Sequence, residues 1–373
     1  MTILLLIVGL ILFVALVVVH EFGHFVTARR GGVEVEEFGI GFPPRAWKKR
    51  VKSKKGDYDF TLNWLPLGGF VKLKGEHDAD TEPGSFGAAK LGTKVKIMLA
   101  GVGMNLATAF VLLTLVALAG MPKLIDNQFT VVSDTKVLSQ KLLIGFVEPD
   151  SPASKIGLQT QDELTHVNNV QVNNAQTFPE VTKKYAGQTV QLQYVHEGQA
   201  KSAQVQLRNT KEVEDSKNTN DPKGYLGISP AEYTLQRSTW SAPIVAGGLI
   251  KQFTQLTLSG LGNAVANLFR GETAKASEQV SGPLGIFFIL KQGSTMGYQF
   301  ILLIIAIISL TLAIMNVLPI PALDGGRLFV TLVYRGFRIP LKEKTEDMIH
   351  GTGFAALMIL FVLITVVDVK RFF

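Results

Sequence analysis

Residues 3–19 form an unbroken apolar run that leads directly into His20-Glu21-Phe22-Gly23-His24. No other feature constrains the chain as strongly. At about 1.5 Å per residue the run covers roughly 25 Å, short of the roughly 30 Å hydrocarbon core of a bilayer. A spanning helix must therefore continue through both histidines and the glutamate before it reaches Arg29 and Arg30. A cleavable signal peptide would need a basic leading segment and a small-residue cleavage site, whereas Met1-Thr2 opens straight into the apolar run. Residues four apart share one face of a helix, so His20 and His24 can bind one metal ion. Glu21 projects beside that face, where it can take a proton from water and pass it to a leaving amide nitrogen. An ionisable side chain at membrane depth costs roughly 2.5–3.5 kcal/mol on insertion scales. Three of them within one turn argue for function rather than for polar residues satisfied between helices.

Composition narrows the chemistry further. The 373 residues are 47% hydrophobic, and a mean hydropathy of +0.26 fits a mixture of membrane spans and polar domains. Cysteine is absent, which excludes a disulfide framework and a thiolate metal site. A transition metal must then be held by His and carboxylate. The formal net charge of +7 clusters beside apolar segments, so it reads as topology rather than as a nucleic-acid surface.

Three further apolar runs follow, at 97–118, about 300–318 and about 354–367, the last one short. The stretch after the first run carries Arg29, Arg30, Arg45, Lys48, Lys49, Arg50, Lys52, Lys54 and Lys55, and the stretch after the third carries Arg327, Arg335, Arg338, Lys342 and Lys344. By the positive-inside rule both are cytosolic, although Lys370 and Arg371 at the far end disagree weakly. The expected organisation is helix 1 over 1–28, a cytosolic-side loop over 29–94, helix 2 over 95–120 and an outer domain over 121–231. An outer helical segment over 232–297, helix 3 over 298–318, a cytosolic segment over 319–350 and helix 4 over 351–368 complete it. Residues 244–269 carry Leu249, Phe253, Leu256, Leu261, Val265 and Leu268 at helical spacing among Lys251, Gln252, Gln255, Asn263 and Asn267. This pattern predicts an amphipathic helix on the outer membrane surface, with a genuine span as the alternative.

A catalytic zinc site uses three protein ligands and one open position. Asn316-Val317-Leu318-Pro319-Ile320-Pro321-Ala322-Leu323-Asp324-Gly325-Gly326 follows a span that ends on the same side as His20 and His24. Pro319 and Pro321 break the helix, and irregular backbone at membrane depth occurs only where it is buried or lines a cavity. Asp324 before two glycines also suits a helix cap or turn. The His pair's need for a carboxylate on its own side favours the metal role. A spanning 244–269 helix would put Asp324 on the opposite side.

With both motifs in view, the chain resembles the site-2 protease family of intramembrane zinc metalloproteases over its whole length. The resemblance implies a polytopic α-helical membrane protein of about four transmembrane helices, with a membrane-associated β-hairpin and one extracytoplasmic PDZ-like α+β domain. It implies zinc (Zn2+) held by His20, His24 and Asp324, Glu21 as general base, and Asn316 in substrate handling. It also implies a bacterial inner-membrane location with the active site toward the cytosol, and single-span substrates such as pre-trimmed anti-sigma factors or remnant signal peptides. Gly101-Val102-Gly103-Met104-Asn105 departs from the family's usual Gly-Pro-x-x-Asn, which weakens the carry-over of Asn105. The outer region has room for one PDZ-like domain, where well-known members carry two.

Residues 59–74 place Phe60, Leu62 and Trp64 before, and Phe70, Val71 and Leu73 after, Pro66-Leu67-Gly68-Gly69, a turn signal that predicts a hairpin. Its exposed edge can pair with an unwound substrate by β-addition. Gly68, Gly69, Phe70, Asn316, Pro319 and Pro321 are therefore candidate substrate contacts, alongside a plain packed hairpin and an Asn316 satisfied between helices. Ser151-Pro152-Ala153, Gly157-Leu158, Asp162-Glu163-Leu164 and Lys223-Gly224-Tyr225-Leu226-Gly227-Ile228 carry the PDZ-like pattern, either to bind a peptide or protein partner or to gate access. His77, His166, His196 and His350 read as ordinary surface histidines. Residues 48–55 read as a solvated topology marker or a contact with anionic lipid. A catalytically inactive PDZ membrane scaffold is the main competing function, and a metal transporter is a lesser one, since the second and fourth spans offer few polar residues.

Overall fold

The computed structural model describes residues 2–219, 222–272, 275, 277 and 281–372. The remaining positions of the expected 121–231 and 232–297 segments lie outside the described residues. The chain divides into two units, one made of residues 1–119, 129–131 and 240–373, the other of 120–128 and 132–239.

The first unit contains α1 (Thr2–Arg30), the strands β1 (Val35–Val51) and β2 (Tyr58–Leu73), and α2 (Leu91–Ala119). Four of the described helices are long and apolar enough to cross a membrane: α1, α2, a helix over Tyr298–Val317 and one over Glu343–Phe372. They coincide with the four expected spans. The last is longer than its apolar stretch, because polar residues 343–353 extend the same helix. Phe354, Ile359 and Leu363 are exposed along it, as expected of a helix whose surface faces lipid.

Small residues set how closely these helices approach. A Cβ on Gly23 would stand 2.6 Å from the Ala100 carbonyl oxygen, so α1 and α2 pack almost backbone to backbone there. Further out, Leu16, Leu290, Ile301 and Ile305 form a shared core, with Leu290 and Ile301 filling the space over Gly9.

The expected turn is present, but its two flanks pair with β1 rather than with each other. The chain reverses between β1 and β2 at residues 52–57 and again, within β2, at Pro66-Gly69, since Asp59 to Leu62 rise alongside Glu37 to Ile40 whereas Gly69 to Leu73 run the opposite way along Ile40 to Val35. Gly68 has φ +146° and Ile40 lies opposite Gly69, so the glycines stand where the chain turns back along the other side of β1. Both strands double up: Phe38 has Phe60 on one side and Val71 on the other, while Arg45 to Val51 pair with Asn63 to Tyr58. Phe42, Trp47, Trp64 and Leu65 leave large apolar surfaces exposed at the far end of this sheet.

The second unit begins with β3 (Met121–Pro122) and continues through β4 (Lys136–Val147), α3 (Pro152–Lys155), β5 (Glu163–Val167) and β6 (Val170–Gln171). It then forms α4 (Thr177–Lys184), β7 (Thr189–His196), β8 (Gln199–Gln206), α5 (Thr210–Ser216) and β9 (Ile228–Arg237). The sheet order is β3-β9-β4-β5-β7-β8, with β6 paired to β5. Alternation builds it: Val190, Leu192 and Tyr194 point inward along β7 and join Leu142, Ile144, Leu164 and Leu226 in one core. Ser151 caps α3 through its hydroxyl, which accepts from the Ser154 N–H. The expected boundary at 231 is too early. Ten pairings of β9 with β4 carry the unit to Thr239, and no local pattern marks that end.

After it come α6 (Ala242–Phe269), α7 (Pro283–Met296), α8 (Tyr298–Val317), α9 (Asp324–Gly336) and α10 (Glu343–Phe372). α6 is not among the four helices apolar enough to span. Its Leu249 and Phe253 are buried as expected, but Leu256, Val265 and Leu268 are exposed. The expected cytosolic segment at 319–350 is largely helical, because Leu328, Leu332 and their neighbours recur at helical spacing along α9.

Candidate metal centre

Three elements deliver three ligand atoms to one point. His20 and His24 sit one turn apart on the buried face of α1. α8 stops at Leu318, whose backbone turns extended, and Ala322 takes a left-handed φ of +77° before α9 begins at Asp324. That break aims the first residue of α9 back at α1. Asp324 Oδ2 lies 3.0 Å from His20 Nε2 and 3.2 Å from His24 Nε2, and the two Nε2 atoms are 3.2 Å apart. Ligands bound at 2.0–2.1 Å in a tetrahedron stand about 3.3 Å from one another, so the donor set fits a zinc-sized ion. His24 Nδ1 donates to the Ile97 carbonyl at 2.8 Å, which leaves Nε2 free as a ligand.

Glycines make the convergence possible. A Cβ on Gly101 would lie 2.5 Å from His20 Nε2 and 2.6 Å from His24 Nε2. Gly325 and Gly326 tuck the start of α9 against the Val317 and Ile320 carbonyls, where a Cβ would stand 2.4 and 2.0 Å from oxygen. Gly101→Ala is therefore expected to displace both imidazoles and abolish stoichiometric zinc, which elemental analysis of the purified variant checks. Gly103→Ala is the matched control, because its Cβ would meet nothing within 4 Å.

Glu21 follows His20 in the same turn of α1, and its side chain approaches Gly69 of β2. The second half of β2 thus runs along α1, with Gly69 facing Val18 and the Glu21 side chain, and Gly68 facing Val17. The other expected substrate contacts are not gathered here. The Phe70 ring lies over Gly39. Asn316 Nδ2 donates to the Leu312 carbonyl of its own helix at 3.0 Å. Pro319 is exposed on the α8–α9 link, and Pro321 packs against Gly353 of α10.

An ionic network holds α9 in register. Lys94 and Arg335 pair with Asp78, whose backbone N–H donates to Glu346 at 2.9 Å. Arg327, one turn past Asp324, sits 3.8 Å from Glu346 and donates to the Glu76 carbonyl. Removing one partner of such a buried set leaves an uncompensated charge. Beside it, a cavity of about 500 Å³ is lined by Asp324, Arg327, Glu346, Asp347 and His350 among others.

The four remaining histidines are not plain surface residues. His196 Nδ1 bonds the buried Asp162 at 2.7 Å, His350 accepts from the Ala322 N–H at 3.3 Å, and His166 Nδ1 is buried. His77 Nε2 meets Asp347 at 2.9 Å, with Asp80, Glu343 and Glu346 also near. Asp347, Asp162 and Ala322 are remote in sequence from the histidines they meet, so sequence neighbours gave no sign of them. The bond to Asp347, opposed by partial burial and reinforced by Glu346 and Glu343, raises the His77 pKa. A raised folded-state pKa stabilises the fold fully below the unfolded value of about 6.5 and loses that contribution as pH climbs through the folded value. The melting-temperature deficit of His77→Gln is expected to be largest below about pH 6.5 and to fade at higher pH.

Comparison with known proteins agrees with this geometry. The family model for peptidase family M50 matches residues 8–360, and the chain belongs to that family. A Clostridium perfringens protein, named by inference a zinc metalloprotease, is 30% identical over 364 residues, covering 97% of both chains. Zinc metalloprotease RasP of Shouchella clausii is 26% identical over 444 residues, covering 97% of this chain and 98% of its own. A PDZ domain of an SdrC-like protein from Listeria monocytogenes covers 26% of this chain and 93% of its own, at 22% identity and TM-score 0.21. Family and relatives identify a bacterial membrane protein of the site-2 protease class, a zinc metalloprotease of the RseP type.

Proposed function

We propose that the chain hydrolyses a peptide bond within or near the membrane-spanning segment of single-span proteins, from a centre facing the cytosol. The observation that carries this reading is the meeting of His20, His24 and Asp324 within 3.2 Å beside a glutamate held against a strand edge.

His20, His24 and Asp324 hold the zinc. When bound, zinc lowers the pKa of an attacking water and polarises the scissile carbonyl. Glu21, set against Gly69 of β2, takes the water's proton and delivers it to the amide nitrogen as the C–N bond breaks and the water oxygen joins the carbonyl carbon. The charged cavity beside Asp324 supports a water route from the cytosol into a site otherwise walled by apolar helices. The edge of β2 at Gly69 to Val71 suits β-addition of an unwound substrate, with Asn316 available to freed backbone groups. The exposed Phe42, Trp47, Trp64 and Leu65 suit a sheet end that dips into the bilayer, and Lys48 to Lys55 its cytosolic side.

The basic loops support an inner-membrane topology with the second unit outside, where a PDZ-like domain binds a peptide or gates access. Family resemblance favours pre-trimmed anti-sigma factors or remnant signal peptides as substrates. Reconstitution in liposomes with a single-span model substrate tests the reading. Cleavage with stoichiometric zinc is expected, and absence of zinc from folded wild-type protein would sink it.

A further inference from the structure

Asn105, one turn beyond Gly101 on α2, is fully buried. Its side-chain amide stands 3.2 Å from His20 Nδ1. Its backbone carbonyl accepts from the Ser309 hydroxyl of α8 at 2.8 Å. One residue therefore touches both the helix that carries the histidines and the helix that leads to Asp324. The amide oxygen has no hydrogen-bond partner although it is buried, which is costly in a protein interior.

We propose that Asn105 is a positioning residue for the metal centre, accepting a hydrogen bond from His20 Nδ1 and so fixing that imidazole with Nε2 toward the ion. This rests on the zinc-site reading above. A histidine that offers Nε2 to a metal carries its proton on Nδ1 and needs an acceptor there. Ile97 supplies that acceptor for His24. For His20 the facing group is the Asn105 amide. Amide oxygen and nitrogen have nearly the same shape, so the side chain turned end for end keeps its volume and presents Oδ1 to Nδ1–H. The otherwise unpartnered acceptor is then satisfied, and the ring is held in the orientation that points Nε2 at Asp324. Gly101 and Asn105 share one face of α2 through their spacing of four. The glycine opens the space for the two imidazoles, and the asparagine orients one of them.

The test is zinc affinity rather than activity. Full-length wild type, Asn105→Leu and Asn105→Asp are purified in detergent, and their zinc dissociation constants are measured by competition with a chelator at one pH. The melting temperature of each apo form is measured in parallel. Leu keeps the size and removes the acceptor, so affinity is expected to fall about 10- to 100-fold. Asp offers an acceptor on either oxygen and is expected to stay within about threefold of wild type or to bind more tightly. The zinc-induced rise in melting temperature should shrink for Leu in proportion to its affinity loss. Wild-type affinity in Asn105→Leu would overturn the assignment while leaving the zinc site standing. Equal losses in the Leu and Asp variants would also overturn it, in favour of a packing role. Failure of wild type itself to bind zinc would defeat the zinc-site reading.

Discussion

Glu21→Gln is expected to reduce cleavage of a reconstituted single-span substrate by about 10²–10⁴-fold, the range a general acid–base group contributes, with zinc bound at the wild-type level. The two halves of this result have separate physical causes. Glu21 is not one of the three atoms that converge at the metal position, so a neutral amide of the same shape leaves the ligand set intact. The amide cannot accept the water's proton, and so has none to give to the leaving nitrogen. Gln keeps the size and shape of Glu, so the side chain still fits against Gly69 and the fold is undisturbed. Single-turnover cleavage and elemental zinc analysis of the same preparations measure both halves. Loss of zinc together with activity would mean that Glu21 serves the metal rather than the proton.

Asp324→Asn is expected to act the other way round, removing zinc first and activity as a consequence. Asp324 Oδ2 is the one atom within 3.2 Å of both Nε2 atoms, and it is the only anionic donor in the set. A neutral amide there supplies a weaker oxygen ligand or turns its NH₂ toward the histidines. Affinity should fall by more than about 100-fold, beyond what outer-shell substitutions cost. Chelator competition checks this, with apo melting temperatures to show that the variant folds. Retention of stoichiometric, tight zinc would require another third ligand. The other clustered group among the described residues, His77 with Glu343 and Asp347, shares His77 and Asp347 with the lining of the charged cavity and includes neither α1 histidine.

The contrast between these two acidic residues explains how far a reading of the chain alone reaches. His20, Glu21 and His24 lie within one helical turn, at the end of an apolar run too short to span a bilayer unless the helix continues through them. Their chemistry follows from spacing. Asp324 is more than three hundred positions away, yet it was legible because two prolines end a span on the matching side. What lay beyond local pattern was pairing. Pro66-Gly69 does turn the chain, but the segments on either side of it pair with β1 rather than with each other, since strand register depends on which distant segment lies alongside. His77 and His350 look like surface residues until α10 brings acidic partners to one and the Ala322 N–H to the other.

Gly101 and Asn105 show the same division. Nothing within α2 distinguishes a glycine that shapes a metal pocket from one that is merely tolerated, and Gly103, two residues on, meets nothing. Only the packing of α1 against α2, where Gly23 meets the Ala100 carbonyl, turns that face of α2 toward the histidines. Helical periodicity and membrane energetics are local, so the sequence by itself determined four helices long and apolar enough to span a membrane and the one turn that carries His20, Glu21 and His24. Contacts between remote segments depend on the whole fold, and the tertiary structure alone decided the hairpin register, the end of the second unit at Thr239 and the residues that hold the metal ligands in place.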